Sequence, residues 1–209
     1  MQRGSLGLAL AVQDWRPDVA TGAKRSTFVG LSRNNVGKRS DVKTVSGQSL
    51  SADFADSIRR GLKTAGYSVT TVDVGERALL QQVRLELLRT GAQRGLAVQI
   101  QQWKSDTFSG TALDYDVALA VFDAVGQEIG RAAIKGHDVL VYGGHFIDPD
   151  VRAAQAISEA YARKLEELLN APAIRRALAP PAAAPPEQRP AAPAAPPAAP
   201  AVAPTPPVL

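Results

Sequence analysis

Cysteine is absent from the 209 residues of this chain. Its absence excludes disulfide bonds, thiolate-ligated zinc sites, cysteine-held iron–sulfur clusters and any cysteine nucleophile. Long hydrophobic runs are missing too: the apolar run of residues 6–12 has seven residues, whereas a membrane-spanning helix needs about 20. No small-residue cleavage site follows that run, so no export signal is predicted from these residues.

The remaining composition indicates one ordinary domain with an appended tail. The sequence is 45% hydrophobic and 21% charged, which is typical of soluble domains. Residues 1–179 are predicted to form the domain, which is large enough to bury a core without a metal or disulfide. In the tail, residues 180–209, 23 of 30 residues are proline or alanine. Such a segment cannot bury a core and is predicted to be a disordered, extended spacer.

Hydrophobic spacing predicts an α/β (α+β) fold. The predicted order is β-β-α-β-α-β-β-β-α, with a mixed sheet of about five to six strands and helices mainly on one face. The last three strands follow one another without helices, so we expect them to form an antiparallel meander. Strands are predicted near residues 6–12, 28–31, 67–74, 96–101, 113–121 and 128–135, and helices at 49–65, 76–90 and 148–170, with one short turn at 173–178.

The three long helices have predicted buried faces. The first should begin at a serine cap, Ser49 or Ser51, and end at Gly66, a residue that readily adopts a left-handed conformation. Spacing of three and four residues defines the apolar faces. They are Leu50, Phe54, Ile58 and Leu62 in the first helix, Leu79, Leu80, Val83, Leu87 and Leu88 in the second, and Val151, Ala154, Ile157, Tyr161, Leu165 and Leu168 in the third.

Positive charge is concentrated in one segment. Lys24–Lys43 holds six basic residues and one acid, a net charge of +5 in a chain of net charge +4. The glycine spacing in this segment does not match a phosphate-binding loop, and the modest overall charge does not predict a nucleic-acid partner. One interpretation is a solvated, turn-forming loop, and the other is an anion or partner contact. The candidate contact residues are Arg33, Asn34, Asn35, Lys38, Arg39 and Lys43.

Other polar and aromatic residues give weaker signals. His137, Asp138, His145, Asp148 and Asp150 form a His/carboxylate cluster, but they lack a fixed ligand spacing, so neither a metal nor another cofactor is predicted. Asp114 and Asp116 share a strand face, where solvated acids are expected. Trp103 and Phe108 are either an aromatic contact patch or core residues.

Several short motifs together resemble the YajG-like family of bacterial lipoproteins. They occur in order between residues 6 and 178. The matching residues are Asp14, Arg16 and Pro17; Val29, Gly30, Arg33, Asn34 and Gly37; Leu62, Gly66, Tyr67 and Val69; Phe108, Ser109 and Gly110; and Asn170, Pro172, Ile174, Ala177 and Leu178.

The resemblance implies a small α/β domain without catalytic residues, tethered to a membrane by a lipidated N-terminal cysteine. The expected function is therefore a non-enzymatic binding or structural module of the cell envelope, periplasmic and associated with the outer membrane. Its expected partners are an envelope protein or an anionic membrane surface, with the tail contacting the cell wall. The alternative is a cytosolic domain that binds an anionic small molecule through residues 32–43, since neither a signal peptide nor a cysteine is present. A hydrolase using the His/Asp cluster is a third, less favoured hypothesis.

Overall fold

Twelve helices and strands lie within the residues that the computed structural model describes, which are 6–33, 37–75, 78–108, 110–140 and 149–179. The predicted tail lies outside these ranges. The predicted order is present, with one further strand (β3) and one further short helix (α1). In chain order the elements are β1 (Gly7–Asp14), α1 (Pro17–Ala20), β2 (Phe28–Arg33), β3 (Arg39–Lys43), α2 (Leu50–Thr64), β4 (Ser68–Thr71), α3 (Leu80–Arg89), β5 (Arg94–Thr107), β6 (Thr111–Asp123), β7 (Glu128–Leu140), α4 (Pro149–Asn170) and α5 (Pro172–Leu178).

Strand β5 organises the sheet because its 14 residues can hold two strands end to end on one edge. Residues 94–100 pair in parallel with β1, and residues 105–107 pair in parallel with β2. The other edge pairs with antiparallel β6, which pairs in turn with antiparallel β7. The predicted meander is therefore confirmed. Strands β4 and β3 extend the sheet beyond β1 and β2, giving a mixed sheet of seven strands in the described part of the chain.

The helices cover the two faces of the sheet unequally. Helices α2, α4 and α5 pack on one face, in a cluster whose buried members include Phe54, Trp103 and Leu168. Helix α3 packs on the opposite face, where Val83 and Leu87 meet small alanines of β1, β5 and β6. The prediction of helices mainly on one face is confirmed. We call the face that carries α3 the outer face, and its part beyond α3 bears charged residues.

Helix α2 follows its sequence prediction closely. The Ser49 side chain accepts a hydrogen bond from the Ala52 amide at 3.2 Å, which caps the helix. All four predicted apolar residues are buried. At the other end Gly66 has φ +93°, and the Tyr67 amide donates to the Leu62 carbonyl at 3.0 Å. A left-handed glycine with this hydrogen bond is a common way to end a helix.

The predicted faces of the other two long helices need correction. Helix α3 begins at Leu80, not at Glu76, and Leu79 is 63% exposed instead of buried. In α4 Val151 is 49% exposed and Ala154 is exposed as well. The first half of α4 instead buries alanines, since small side chains let a helix lie close to a sheet. These alanines are Ala153, Ala156 and Ala160.

The basic segment also differs from its prediction, because its last five residues, Arg39–Lys43, form a strand. Residues predicted to form a turn-rich loop include β3, which pairs with antiparallel β2. Strand β3 is an edge strand, and four of its five residues are exposed. An exposed strand shows no alternation of apolar and polar residues, so periodicity alone could not reveal it.

Candidate functional site

The β2–β3 hairpin is held against β5 by a close backbone approach. A Cβ atom on Gly30 would lie 2.0 Å from the Ser105 hydroxyl oxygen and 2.4 Å from the Ser105 carbonyl oxygen. The Ser105 hydroxyl donates to the Val29 carbonyl at 3.3 Å. Only glycine fits at residue 30, because a side chain there would keep β2 away from β5. The hairpin therefore has a defined position at the far end of β5.

The paired strands place several of the predicted contact residues on one face of the hairpin. Arg33 lies directly opposite Arg39, and Leu31 lies directly opposite Asp41. Residues directly opposite in an antiparallel pair share a face, and side chains alternate along a strand. Arg33, Arg39, Asp41 and Lys43 therefore share one face, which we call the hairpin face.

Two cations of the basic segment are already neutralised inside the protein. Arg33 forms an ion pair with Asp106 of β5 at 2.5 Å, and both side chains are about one-third exposed. Lys24 pairs with Asp41 at 2.6 Å. The charge available to a partner is consequently smaller than the composition of the segment implies.

Of the other predicted contact residues, three are exposed and two lie outside the described residues. Arg39 and Lys43 are exposed and make no ion pair with the described part of the chain. Lys38 is exposed just before β3. Asn34 and Asn35 lie outside the described residues. The structure thus brings Arg33, Arg39 and Lys43 together on the hairpin face.

A buried arginine, Arg16, anchors the base of the hairpin, and its sequence signal is only the short motif of Asp14, Arg16 and Pro17. The Arg16 guanidinium donates to both carboxylate oxygens of Asp14, at 2.8 and 2.6 Å. It also donates to the backbone carbonyls of Ser26, Phe28 and Trp103. One side chain thus joins the end of β1, the chain leading into β2 and the middle of β5. A polar pattern of the form Asp-x-Arg directly after an apolar strand was the available signal.

The two members of the His/carboxylate cluster whose side chains are described, His137 and Asp138, lie on opposite faces of β7. The Nδ1 atom of His137 lies 2.7 Å from an Asp114 carboxylate oxygen, whereas Asp138 pairs with Lys164 of α4 at 3.0 Å. Neighbouring residues of a strand point to opposite faces, so His137 and Asp138 cannot act on one ligand. No group of residues that could hold a metal ion occurs in the described ranges. His145 and Asp148 lie outside these ranges, as does the side chain of Asp150.

Asp138 is held as a carboxylate by its neighbours. Burial alone would raise the pKa of the Asp138 carboxyl, but hydrogen bonds from Lys164 and Tyr115 outweigh that effect and lower the pKa below its usual value. The same contacts raise the pKa of the Lys164 ammonium despite its burial. This arrangement favours a permanent ion pair that joins α4 to β7, because neither group is poised to exchange a proton near neutral pH.

The two acids on the polar face of β6 each have a cation beside them. Asp116 pairs with Lys135 at 2.7 Å, and Asp114 contacts His137. They do share one strand face, as predicted, but each is bound across to β7. Such cross-strand pairs stabilise a sheet and need no catalytic interpretation.

The two candidate aromatic residues differ in their exposure to solvent. Trp103 is 2% exposed and packs edge-to-face against Phe54 and Tyr161, with ring centroids 5.2 and 5.6 Å away. Phe108 is 58% exposed. Trp103 is therefore a core residue, and the two do not form a common contact patch. None of the described helices is long and apolar enough to cross a membrane.

Comparisons with known proteins give a fold and no more specific identity. No protein-family model matches the sequence, and no curated protein matches it significantly. Among solved structures, protein XCC0632 from Xanthomonas campestris (DUF330) has 13% identity and a TM-score of 0.50, with 79% of this chain and 82% of that chain covered.

Two further structures are more distant. Lipoprotein GNA1162 from Neisseria meningitidis has 11% identity and a TM-score of 0.44, over 79% of this chain and 99% of that chain. The PelC dodecamer from Paraburkholderia phytofirmans has 12% identity and a TM-score of 0.40, over 81% and 88% of the two chains. The resemblance to the YajG-like family stays a prediction, and at these identities the likeness shows that the chain shares the overall fold of XCC0632.

Proposed function

We propose that this protein is a non-enzymatic binding module of the bacterial cell envelope and that the hairpin face is its partner-contact surface. The observation that carries the proposal is the pair of exposed cations, Arg39 and Lys43, on one face of an edge strand, without counter-ions in the described part of the chain. Exposed cations on a strand steer and orient an acidic partner. The partner we expect is an envelope protein with an acidic surface.

The other charged groups support a binding role over a catalytic one. Active sites usually contain titratable groups whose pKa values are shifted towards neutrality within a cleft. Here Asp114, Asp116 and Asp138 each contact a cation, and the Asp138 pKa is shifted away from neutrality. These contacts give the acids structural roles.

The envelope location in this proposal rests on the sequence motifs that resemble the YajG-like family. We propose the periplasm, at the outer membrane, as the location, and a spacer role for the tail of residues 180–209, which is rich in proline and alanine. A polyproline-like chain is semi-rigid and extends about 3.1 Å per residue. Such a tail could contact the cell wall while the domain binds its partner elsewhere.

A second candidate function is binding of a small anion, and one observation favours it. Arg33 and Arg39 lie directly opposite each other. Like charges in that position repel, and an anion between them would relieve the repulsion. The Asp106 carboxylate already neutralises Arg33. We therefore place the small-anion function second.

Photo-crosslinking in cells tests the partner-contact proposal. A photoreactive residue replaces Val45, which is fully exposed just after β3. We expect one discrete crosslinked protein, and we expect the pair Arg39→Glu and Lys43→Glu to abolish it. The matched charge reversal is Arg60→Glu with Lys63→Glu, two exposed residues of α2, which should leave the product unchanged.

The control position for the photoreactive residue is Val125, which is 81% exposed in the turn between β6 and β7. This turn lies at the opposite end of β5 from the hairpin, about 40 Å away at roughly 3.3 Å per residue. Equal products from Val45 and Val125, or a Val45 product that survives the Arg39/Lys43 reversal, would contradict the proposal. Salt-sensitive sedimentation with anionic vesicles, without any protein product, would favour a membrane surface instead.

A further inference from the structure

The outer face of the sheet has a crevice along β5. It lies between the residues of β5 that pair with β1 and those that pair with β2. A cavity of about 410 Å³ occupies one part of it, with walls from Trp15, Leu79 and Leu80. A second cavity of about 190 Å³ adjoins it and is lined by residues that include Lys104. Pro17 and Gln101 line both cavities, so the two are neighbours along β5. The larger volume alone lies within the range of about 300–1,000 Å³ that is usual for small-molecule sites.

The topology of the strands explains why a crevice exists at this place. After β1 the chain passes through α1, β2 and β3 and then through α2 to β4, on one side of β1. From β4 it passes through α3 to β5, on the other side of β1. Helices α2 and α3 lie on opposite faces of the sheet. Where the connections of neighbouring parallel strands diverge in this way, a crevice opens at their carboxyl ends, and open α/β sheets bind ligands there. Here the neighbouring strands are β1 and β4. The larger cavity is lined by Trp15, which follows β1, and by Leu79 and Leu80, which come after β4.

A bulge in β5 directs side chains into the crevice. The register with β6 shifts between Ile100 and Gln102, which leaves Gln101 as the extra residue. Bulges of this kind redirect side chains and are frequent beside functional sites. Gln101, Gln102 and Lys104 all line the smaller cavity. The floor of the crevice is thus polar at the Lys104 end and apolar at the α3 end.

Three side chains around the crevice lack, within the described part of the protein, the contact that such side chains usually make. The indole Nε1 of Trp15 is buried without a hydrogen-bond acceptor. Leu79 is 63% exposed although it is a large apolar side chain at the start of α3. Lys104 forms neither an ion pair nor a side-chain hydrogen bond. A buried donor without an acceptor is unfavourable and rare, so it suggests a missing acceptor.

We propose that this crevice binds a small aromatic carboxylate, with its ring against Trp15, Leu79 and Leu80 and its carboxylate at the Lys104 ammonium. An aromatic ring fits the apolar end because ring–ring contact with an indole adds to the burial of apolar surface. A carboxylate fits the other end because ammonium–carboxylate hydrogen bonds are among the stronger ones. The Trp15 N–H and the Gln101 amide are further donors for acceptor atoms of the ligand. This site is separate from the hairpin face and does not depend on the proposed partner.

Isothermal titration calorimetry of the full chain with 2-naphthoate tests the proposal. We expect saturable binding at one site. Lys104→Gln and Leu79→Ser should each weaken it about tenfold or more, the factor that corresponds to one lost charge-assisted hydrogen bond or one lost apolar contact. The matched controls are Lys135→Gln, another outer-face lysine, and Leu85→Ser, a 51% exposed leucine on the same helix, and both should bind like the unmodified chain.

Tryptophan emission gives an independent readout. The chain has two tryptophans, and Trp103 also lines the smaller cavity. The change in tryptophan emission on adding 2-naphthoate, corrected for the absorption and emission of the ligand itself, should therefore be smaller in Trp15→Phe than in the unmodified chain. The neutral analogue 2-naphthamide should bind at least tenfold more weakly, because it lacks the charge that pairs with Lys104. Absence of 2-naphthoate binding, equal affinity for the amide, or unchanged affinity in both Lys104→Gln and Leu79→Ser would overturn the proposal.

Discussion

Arg16 and Asp14 form a doubly hydrogen-bonded ion pair whose side chains are only 5% and 6% exposed. The pair lies where β1 leaves the sheet, in the gap between β1 and β2 along β5. Backbone carbonyls of β5 in this gap have no neighbouring strand to donate hydrogen bonds to them. The Arg16 guanidinium donates one to the Trp103 carbonyl. A local pair of residues, two apart in the chain, thus closes a gap between distant strands.

Replacing this arginine should destabilise the whole domain. Arg16→Leu leaves the Asp14 carboxylate buried without a cation and removes the donor for the carbonyls of Ser26, Phe28 and Trp103. Breaking a buried pair from one side costs about 3–5 kcal/mol of the free energy of unfolding. Urea denaturation followed by circular dichroism measures this loss. Arg25→Leu, at an exposed arginine of the same loop, should change stability by no more than about 0.5 kcal/mol, and equal effects of the two variants would refute the structural role of Arg16.

Adding one methyl group at Gly30 should disturb the attachment of the hairpin to β5. The new Cβ of Gly30→Ala would meet Ser105 atoms at 2.0 and 2.4 Å, and the closest backbone atoms cannot move aside without separating the strands. We expect a loss of roughly 1–3 kcal/mol, the usual cost of overpacking. Thermal and urea denaturation both measure it.

The matched control for Gly30 is Gly61, a glycine inside α2. A Cβ on Gly61 would meet no atom within 4 Å. Gly61→Ala should therefore raise stability by about 0.5–1 kcal/mol, since alanine loses less conformational entropy in a helix. If both substitutions shift stability in the same direction, the close approach at Gly30 does not limit the fold.

Acid should weaken the contact between α4 and β7 through Asp138. Because the folded-state pKa of Asp138 is lowered, its stabilising contribution is complete above the unfolded-state pKa, about 3.9. It is lost as pH falls below that value through the lowered folded-state pKa. The free energy of unfolding of the unmodified chain should thus fall more than that of Asp138→Asn between pH 6 and pH 2.5, as measured with urea.

Asp41→Asn is the matched control for the acid experiment. Asp41 also has a lysine partner, at 2.6 Å, but its side chain is 41% exposed and that of Lys24 is 31% exposed. Exposed pairs contribute little, so Asp41→Asn should keep the pH dependence of the unmodified chain. A pH dependence that is identical in the unmodified chain and Asp138→Asn would show that Asp138 does not couple α4 to the sheet.

The predictions that succeeded concern structure formed by neighbours in the chain. Helix α2 was predictable from its serine cap, its four apolar residues and Gly66, because each of these acts within a few residues of its position. The meander of β5, β6 and β7 was predictable for the same reason, since consecutive strands with short turns pair with one another. For the candidate site, the sequence showed directly that positive charge is concentrated in Lys24–Lys43.

The predictions that failed concern what each residue meets across the structure. The burial of alanines in α4 and the exposure of Val151 depend on how closely the helix lies to β7, which spacing along one helix cannot show. Strand β3 had no apolar alternation because four of its five residues are exposed. The ion pair between Arg33 and Asp106 of β5 joins residues far apart in the chain, so spacing could not show it either.

The sequence by itself thus determined the secondary structure of most segments, the mixed α/β class and the position of the basic segment, because these depend on local propensity and periodicity. Only the tertiary structure decided which charges remain unpaired, that Arg16 joins three segments, and that a crevice opens beside Trp15 and Lys104. Those properties arise from contacts between residues far apart in the chain. Neither composition nor spacing encodes such contacts in a form that can be read from one sequence.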